Sequence, residues 1–148
     1  MVVVKNLNSG KAKYLHQLDR VRNNVEVFKM NAPWDNLYLR HEGMYSLTTT
    51  GACGTTLGAV QNNDPTPDLA DLSLGKNEDK IYVALRGPYP LTIAHAAAGS
   101  CPGLGIITLS SNKKSGELTN VLPTMIMNGD STKNLSDPHG AIVRQKFS

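Results

Sequence analysis

Apolar positions in this chain recur at the two-residue period of half-buried strands far more often than at helical spacing. In Asn24-Val25-Glu26-Val27-Phe28 the two valines fall on one face, and in Lys80-Ile81-Tyr82-Val83-Ala84-Leu85-Arg86 the residues Ile81, Val83 and Leu85 do so more cleanly. Gly105-Ile106-Ile107-Thr108-Leu109 is a short β-branched run, and Glu117-Leu118-Thr119-Asn120-Val121-Leu122 follows the turn Asn112-Lys113-Lys114-Ser115-Gly116. Further strands are predicted near Ala12 to Leu18, after the turn Asn6 to Lys11, and over Asp68 to Ser73, ahead of the turn Leu74 to Asp79. Three-four spacing seldom survives two turns before Gly, Pro or Asn intervenes, so helix is expected to be scarce. The pattern predicts an all-β chain of meandering antiparallel strands.

Two stretches break that pattern. Thr48 to Pro67 is rich in Thr, Gly, Asn and Pro, and Gly87 to Pro102 opens Gly-Pro-Tyr-Pro and ends Gly-Ser-Cys-Pro. Loops of this length in a compact domain are either functional or disordered. Each carries one of the two cysteines, Cys53 and Cys101. They are a disulfide if the protein is exported and free thiols otherwise, and the narrow Cα separation a bond requires is not readable from sequence. Without Cys-x-x-Cys spacing they suggest neither a zinc site nor a thioredoxin-type motif.

The 148 residues allow one domain with a sizeable core. The net charge of +3 is modest and dispersed, with Lys113-Lys114 the only adjacent basic pair, which disfavours nucleic acid as a partner. No apolar run approaches the roughly 20 residues of a membrane helix. The start Met1-Val2-Val3-Val4-Lys5 is too short for the apolar core of a signal peptide, which leaves localisation undetermined.

A faint internal repeat lays Pro67-Asp68-Leu69-Ala70-Asp71-Leu72 over Pro138-His139-Gly140-Ala141-Ile142-Val143, with four strands between the two starts. Repeated four-stranded meanders are the mark of β-propeller blades. The runs Pro65 to Ser73, Ile81 to Leu91, Gly99 to Ile107 and Asp137 to Gly140, in that order and rough spacing, resemble the C-terminal end of YVTN-type, lactonase-like β-propeller proteins; Asp19 to Phe28 resembles the middle strands of a preceding blade. The resemblance implies a partial propeller of about two four-stranded antiparallel blades plus one extra strand, with long loops. Residues 1–47 would form the first blade, 48–67 a loop, 68–123 the second blade and 124–148 a loop and final strand. Four blades need about 160–180 residues, so the length implies a truncated or split ring. Its exposed blade faces would favour self-association or a partner chain that supplies the missing blades.

In such a ring Asp68 and His139 would lie beside the central channel and are the candidate channel-lining pair. Each has a plainer reading as a turn residue bonded to nearby backbone. Arg86, at a strand end, is a candidate anion clamp, or else a brace paired with Asp71 or Asp68. His95 lies in the loop that follows, where binding residues tend to sit. His16 and His41 read as surface residues. No nucleophile elbow or phosphate-binding loop is present, and the sequon Asn134-Leu135-Ser136 is too short a pattern to carry weight. The expectation is a binding or scaffold fragment with no catalytic residues and no cofactor. The alternative is a lactonase-like hydrolase with a divalent cation at the channel mouth, for which this chain would supply only Asp68 and His139.

Overall fold

The structure is a computed structural model that describes residues 1–5, 12–30, 39–54, 63–73, 78–90 and 97–144. His95, the predicted turn over 6–11 and residues 74–77 of the turn predicted over 74–79 lie outside the described residues. Among the described residues there is no helix. The strands β1 (Val2–Lys5), β2 (Ala12–Asp19), β3 (Asn24–Met30) and β4 (Leu39–Ser46) form one four-stranded antiparallel sheet in chain order. A second sheet of the same order comprises β5 (Pro67–Leu72), β6 (Lys80–Leu85), β7 (Gly103–Leu109) and β8 (Gly116–Pro123). The two sheets stack in the same sense, β1 lying nearest β5 and β4 approaching β8.

Alternation explains both sheets. Val25 and Val27 of β3 are fully buried, as are Ile81, Val83 and Leu85 of β6, and they meet in one core with Val4, Leu47, Ile107 and Leu118. Each such side chain contributes about 1.5–3 kcal/mol on leaving water, an upper estimate because the unfolded chain already buries some apolar surface. The β2–β3 turn closes locally: the Asp19 carboxylate accepts the amides of Val21 at 3.0 Å and Arg22 at 3.1 Å, and Asn23 takes the left-handed conformation at φ 56° that asparagine tolerates.

Two features differ from the sequence expectation. His16 is not a surface residue but is fully buried. Its Nε2 donates to the Lys113 carbonyl at 3.0 Å, which leaves Nδ1 to accept the Tyr45 hydroxyl at 3.1 Å. This imidazole of the first sheet thereby reaches the β7–β8 turn of the second, which strand periodicity cannot reveal. Secondly, residues 124–144 form no strand. They run back to the free edge of β5, where Leu69 donates its amide to the His139 carbonyl at 3.3 Å and Val143 donates to the Asp71 carboxylate at 2.9 Å. Pro138 has no amide to donate, and two isolated bonds do not make a ladder.

Candidate functional site: an arginine–aspartate junction

At one end of the stacked sheets the chain leaves β2 at Arg20 and β6 at Arg86, and both arginines turn toward aspartates that precede or open an inner segment. Arg20 Nη2 lies 2.5 Å from Asp68 Oδ1. Arg86 is fully buried and forks onto Asp137, with Nε at 2.6 Å from Oδ1 and Nη2 at 2.7 Å from Oδ2, while its Nη1 reaches Asp68 Oδ2 at 3.0 Å. The Gly87 amide adds a bond to Asp137 Oδ1 at 3.1 Å. Each guanidinium nitrogen of Arg86 is thus engaged, the geometry in which a buried charge is tolerated. The Asp137 hydrogen bonds raise the Arg86 pKa further, outweighing the burial that opposes them. Burial pushes the Asp137 carboxyl up, but the hydrogen bonds from Arg86 and Gly87 prevail and hold it below the usual carboxylate range.

This geometry selects the brace over the anion clamp for Arg86, with Asp68 and Asp137 as partners. Asp71 instead accepts the amides of Leu72 and Val143. Asp68 and His139, paired by the sequence repeat, do come together: His139 Nδ1 is 3.4 Å from Asp68 Oδ2 and its Nε2 is 3.4 Å from Asp137 Oδ2, with about half of the side chain exposed. His139 therefore lies across both carboxylates at the solvent side of the junction. Asp137, with no signal beyond its place next to Pro138, was the group that sequence reasoning missed. Its role follows from the parallel between Arg20–Asp68 and Arg86–Asp137, which depends on contacts between distant segments.

The two long loops meet at the same end. Cys53 and Cys101 form a disulfide with a Cα separation of 5.3 Å. Beside it Ser100 donates its amide to the Asp64 carbonyl at 2.7 Å and accepts the Asp64 amide on its hydroxyl at 2.8 Å. Asn23, from the β2–β3 turn, donates to Asp64 Oδ1 at 2.5 Å and accepts the Thr66 amide at 2.6 Å. The chain passes so closely here that a Cβ on Gly87 would strike the Ser136 carbonyl, and one on Gly99 the Arg86 carbonyl. The described parts of these loops are therefore a cross-linked junction between the sheets. The sequon asparagine, Asn134, is buried and donates to the Thr124 carbonyl at 2.9 Å.

Among the described residues no group of three or more His, Cys, Asp or Glu is placed to hold a metal ion. A divalent cation does not fit between Asp68 and Asp137, because the Arg86 guanidinium already carries positive charge to both carboxylates. His41 pairs with Glu26 at 2.7 Å and is mostly exposed, remote from this chemistry. Two cavities flank Arg20: one of about 350 Å³ bounded by Gln17, Asp19, Glu26 and Asp68, and one of about 360 Å³ bounded by Asp64, Thr66 and Ala98. A larger one, about 510 Å³, lies on the outward side of the second sheet between Tyr82, Ala84 and Leu104 and the segment 138–143. No helix among the described residues is long and apolar enough to cross a membrane. No protein-family model matches the chain, and no match emerges among curated proteins or among solved structures.

Proposed function

We propose that this chain is a piece of β-propeller-like architecture, akin to the YVTN-type, lactonase-like proteins it resembles in sequence, and that it serves as a binding or scaffold module without catalysis of its own. The observation that carries this reading is the recurrence of one junction, Arg20 to Asp68 and Arg86 to Asp137, between two four-stranded meanders stacked in the same sense. A blade architecture places the innermost strand of each sheet beside that of the next, and β1, β5 and the segment around His139 follow one another in that way. The outward faces of both sheets would then take further blades, supplied by a second copy or another chain. The Cys53–Cys101 bond supports maturation in an oxidising compartment.

The hydrolase reading gains no support from the junction, whose carboxylates are neutralised by arginine. The test joins light scattering over a concentration series with a lactone-hydrolysis assay, with and without added magnesium or calcium. Association beyond the monomer without turnover is expected. A stable, cooperative monomer at every concentration overturns the fragment reading, and turnover by the isolated chain overturns the noncatalytic one.

A further inference from the structure

The outward side of the second sheet combines two features that invite one kind of partner. Its side chains Tyr82, Ala84 and Leu104 face the cavity of about 510 Å³, whose other wall is Pro138 and Gly140–Val143, and among the described residues no charged side chain lines it. Leu122, on the same face by its pairing with Leu104, is 51% exposed, and Ile142 is 77% exposed. The second feature is backbone. Among the described residues, Gly140 to Arg144 make no backbone–backbone hydrogen bond, and of their amides only that of Val143 has a partner, the Asp71 carboxylate. A run of main-chain donors and acceptors beside an apolar hollow is the arrangement on which an added strand docks, main-chain bonds giving affinity and alternate side chains giving specificity.

The chain contains its own precedent for what belongs there. Asp68, held by Arg20, opens β5, and β5 pairs antiparallel with β6, whose sheet covers the inward face of the first sheet. Asp137, held by Arg86, precedes the segment 138–144, which runs along β5 in the same sense as β5 itself, His139 meeting Leu69 and Val143 meeting Asp71. What β6 is to β5, a further strand is to residues 140–144. We propose that this face binds an edge β-strand of a partner polypeptide, antiparallel to residues 140–144, with alternate apolar side chains seated against Tyr82, Ala84 and Leu104. The inference rests on the repeat that underlies the proposed function and adds to it the site and the chemistry of the partner.

The probe is a synthetic peptide with the sequence of Asp79 to Gly87, which contains β6, added to the full oxidised chain. Binding is followed by fluorescence anisotropy and by hydrogen exchange at single-amide resolution. The expected result is slowed exchange at the 140–144 amides. Loss of binding on N-methylation of alternate peptide amides along one edge only is also expected, since that removes main-chain donors without touching the protein. Leu104→Asp should weaken binding by roughly tenfold or more, with Leu104→Ala, checked by an unchanged melting transition, intermediate. Absence of binding, protection at the β1, β4 or β8 edges in place of 140–144, or survival of binding when both peptide edges are methylated overturns the proposal. Concentration-dependent protection of 140–144 without peptide also overturns it, naming a second copy as the occupant. A chain that stays monomeric yet binds the peptide in this way loses the fragment reading and keeps the strand site, so the two failures are distinguishable.

Discussion

Arg20 and Arg86 leave corresponding strands, β2 and β6, and each reaches an aspartate at the next inner segment, yet they sit in different physical settings. Arg86 is fully buried, holds Asp137 through two parallel bonds and touches Asp68 as well; the Arg20 side chain is 29% exposed and makes one ion pair among the described residues, between two solvent-open cavities. The same pairing is therefore worth different amounts. A buried carboxylate left without its guanidinium retains its full desolvation penalty, whereas an arginine partly open to solvent, on a carboxylate that has a second guanidinium, adds less. The Arg86 junction is a fixed brace, and the Arg20 junction is the softer of the two.

The largest effect expected from breaking this contrast is on Arg86. Arg86→Met should cost about 3–5 kcal/mol in denaturant unfolding, because it leaves the buried Asp137 carboxylate without a guanidinium and takes from Asp68 one of its two. Asp137→Asn, which keeps the shape and loses the charge-assisted bonds, should cost about 1.5–3 kcal/mol and remains informative if the first variant does not fold. An Arg86→Met protein as stable as wild type would mean that the brace is dispensable. The next effect concerns the staple at the same end. Paired Cys53→Ser and Cys101→Ser should lower stability by up to about 4 kcal/mol, the loop-entropy value for a sequence separation of 48, and a thiol titration of the unreduced protein should find no free thiol.

The opposite end of the second sheet offers a pH test that leaves both arginines untouched. Burial lowers the His16 pKa to about 4, against a smaller upward effect of its bond to Lys113. The unfolded chain, with histidine near 6.5, takes up the proton first as the medium is acidified. Stability is thus complete above about pH 6.5 and declines toward pH 4, by up to about 3 kcal/mol. Unfolding of His16→Gln followed from pH 7 to 4 should show a flatter profile; an unchanged slope would remove His16 as its cause. The smallest effect is at Arg20, where Arg20→Met should cost about 1 kcal/mol or less and lose that difference in high salt. A double-mutant cycle of Arg20 with Asp68, set beside one of Arg86 with Asp68, should give the smaller coupling for Arg20, and equal couplings would erase the distinction between the junctions.

How much of this was legible in advance depends on the range of the interaction. Val25, Val27, Ile81, Val83 and Leu85 could be placed on buried faces because the pleat repeats every two residues. β1 and β4 give no comparable signal: β1 opens on three consecutive valines, so its sequence does not show that Val2 and Val4 are buried and Val3 exposed, and in β4 only Tyr45 is buried. His16 read as a surface residue because a polar side chain among alternating positions usually faces water; the acceptor that makes its burial tolerable comes from Lys113, 97 residues away. The pairing of Cys53 with Cys101 is not readable from the sequence for the same reason, since their separation depends on how two loops fold over one another.

The sequence by itself determined that this is an all-β chain, where its clearest strands and long loops lie, and which faces of those strands are apolar, because these follow from local periodicity and turn chemistry. Only the tertiary structure decided that Arg86 serves Asp137 and Asp68 and leaves Asp71 to the backbone, that Cys53 meets Cys101, and that His16 is buried. Each of those depends on a charge, thiol or hydrogen-bond partner brought from dozens of residues away, and the energy of a buried polar group is set by that partner and by the water it has lost.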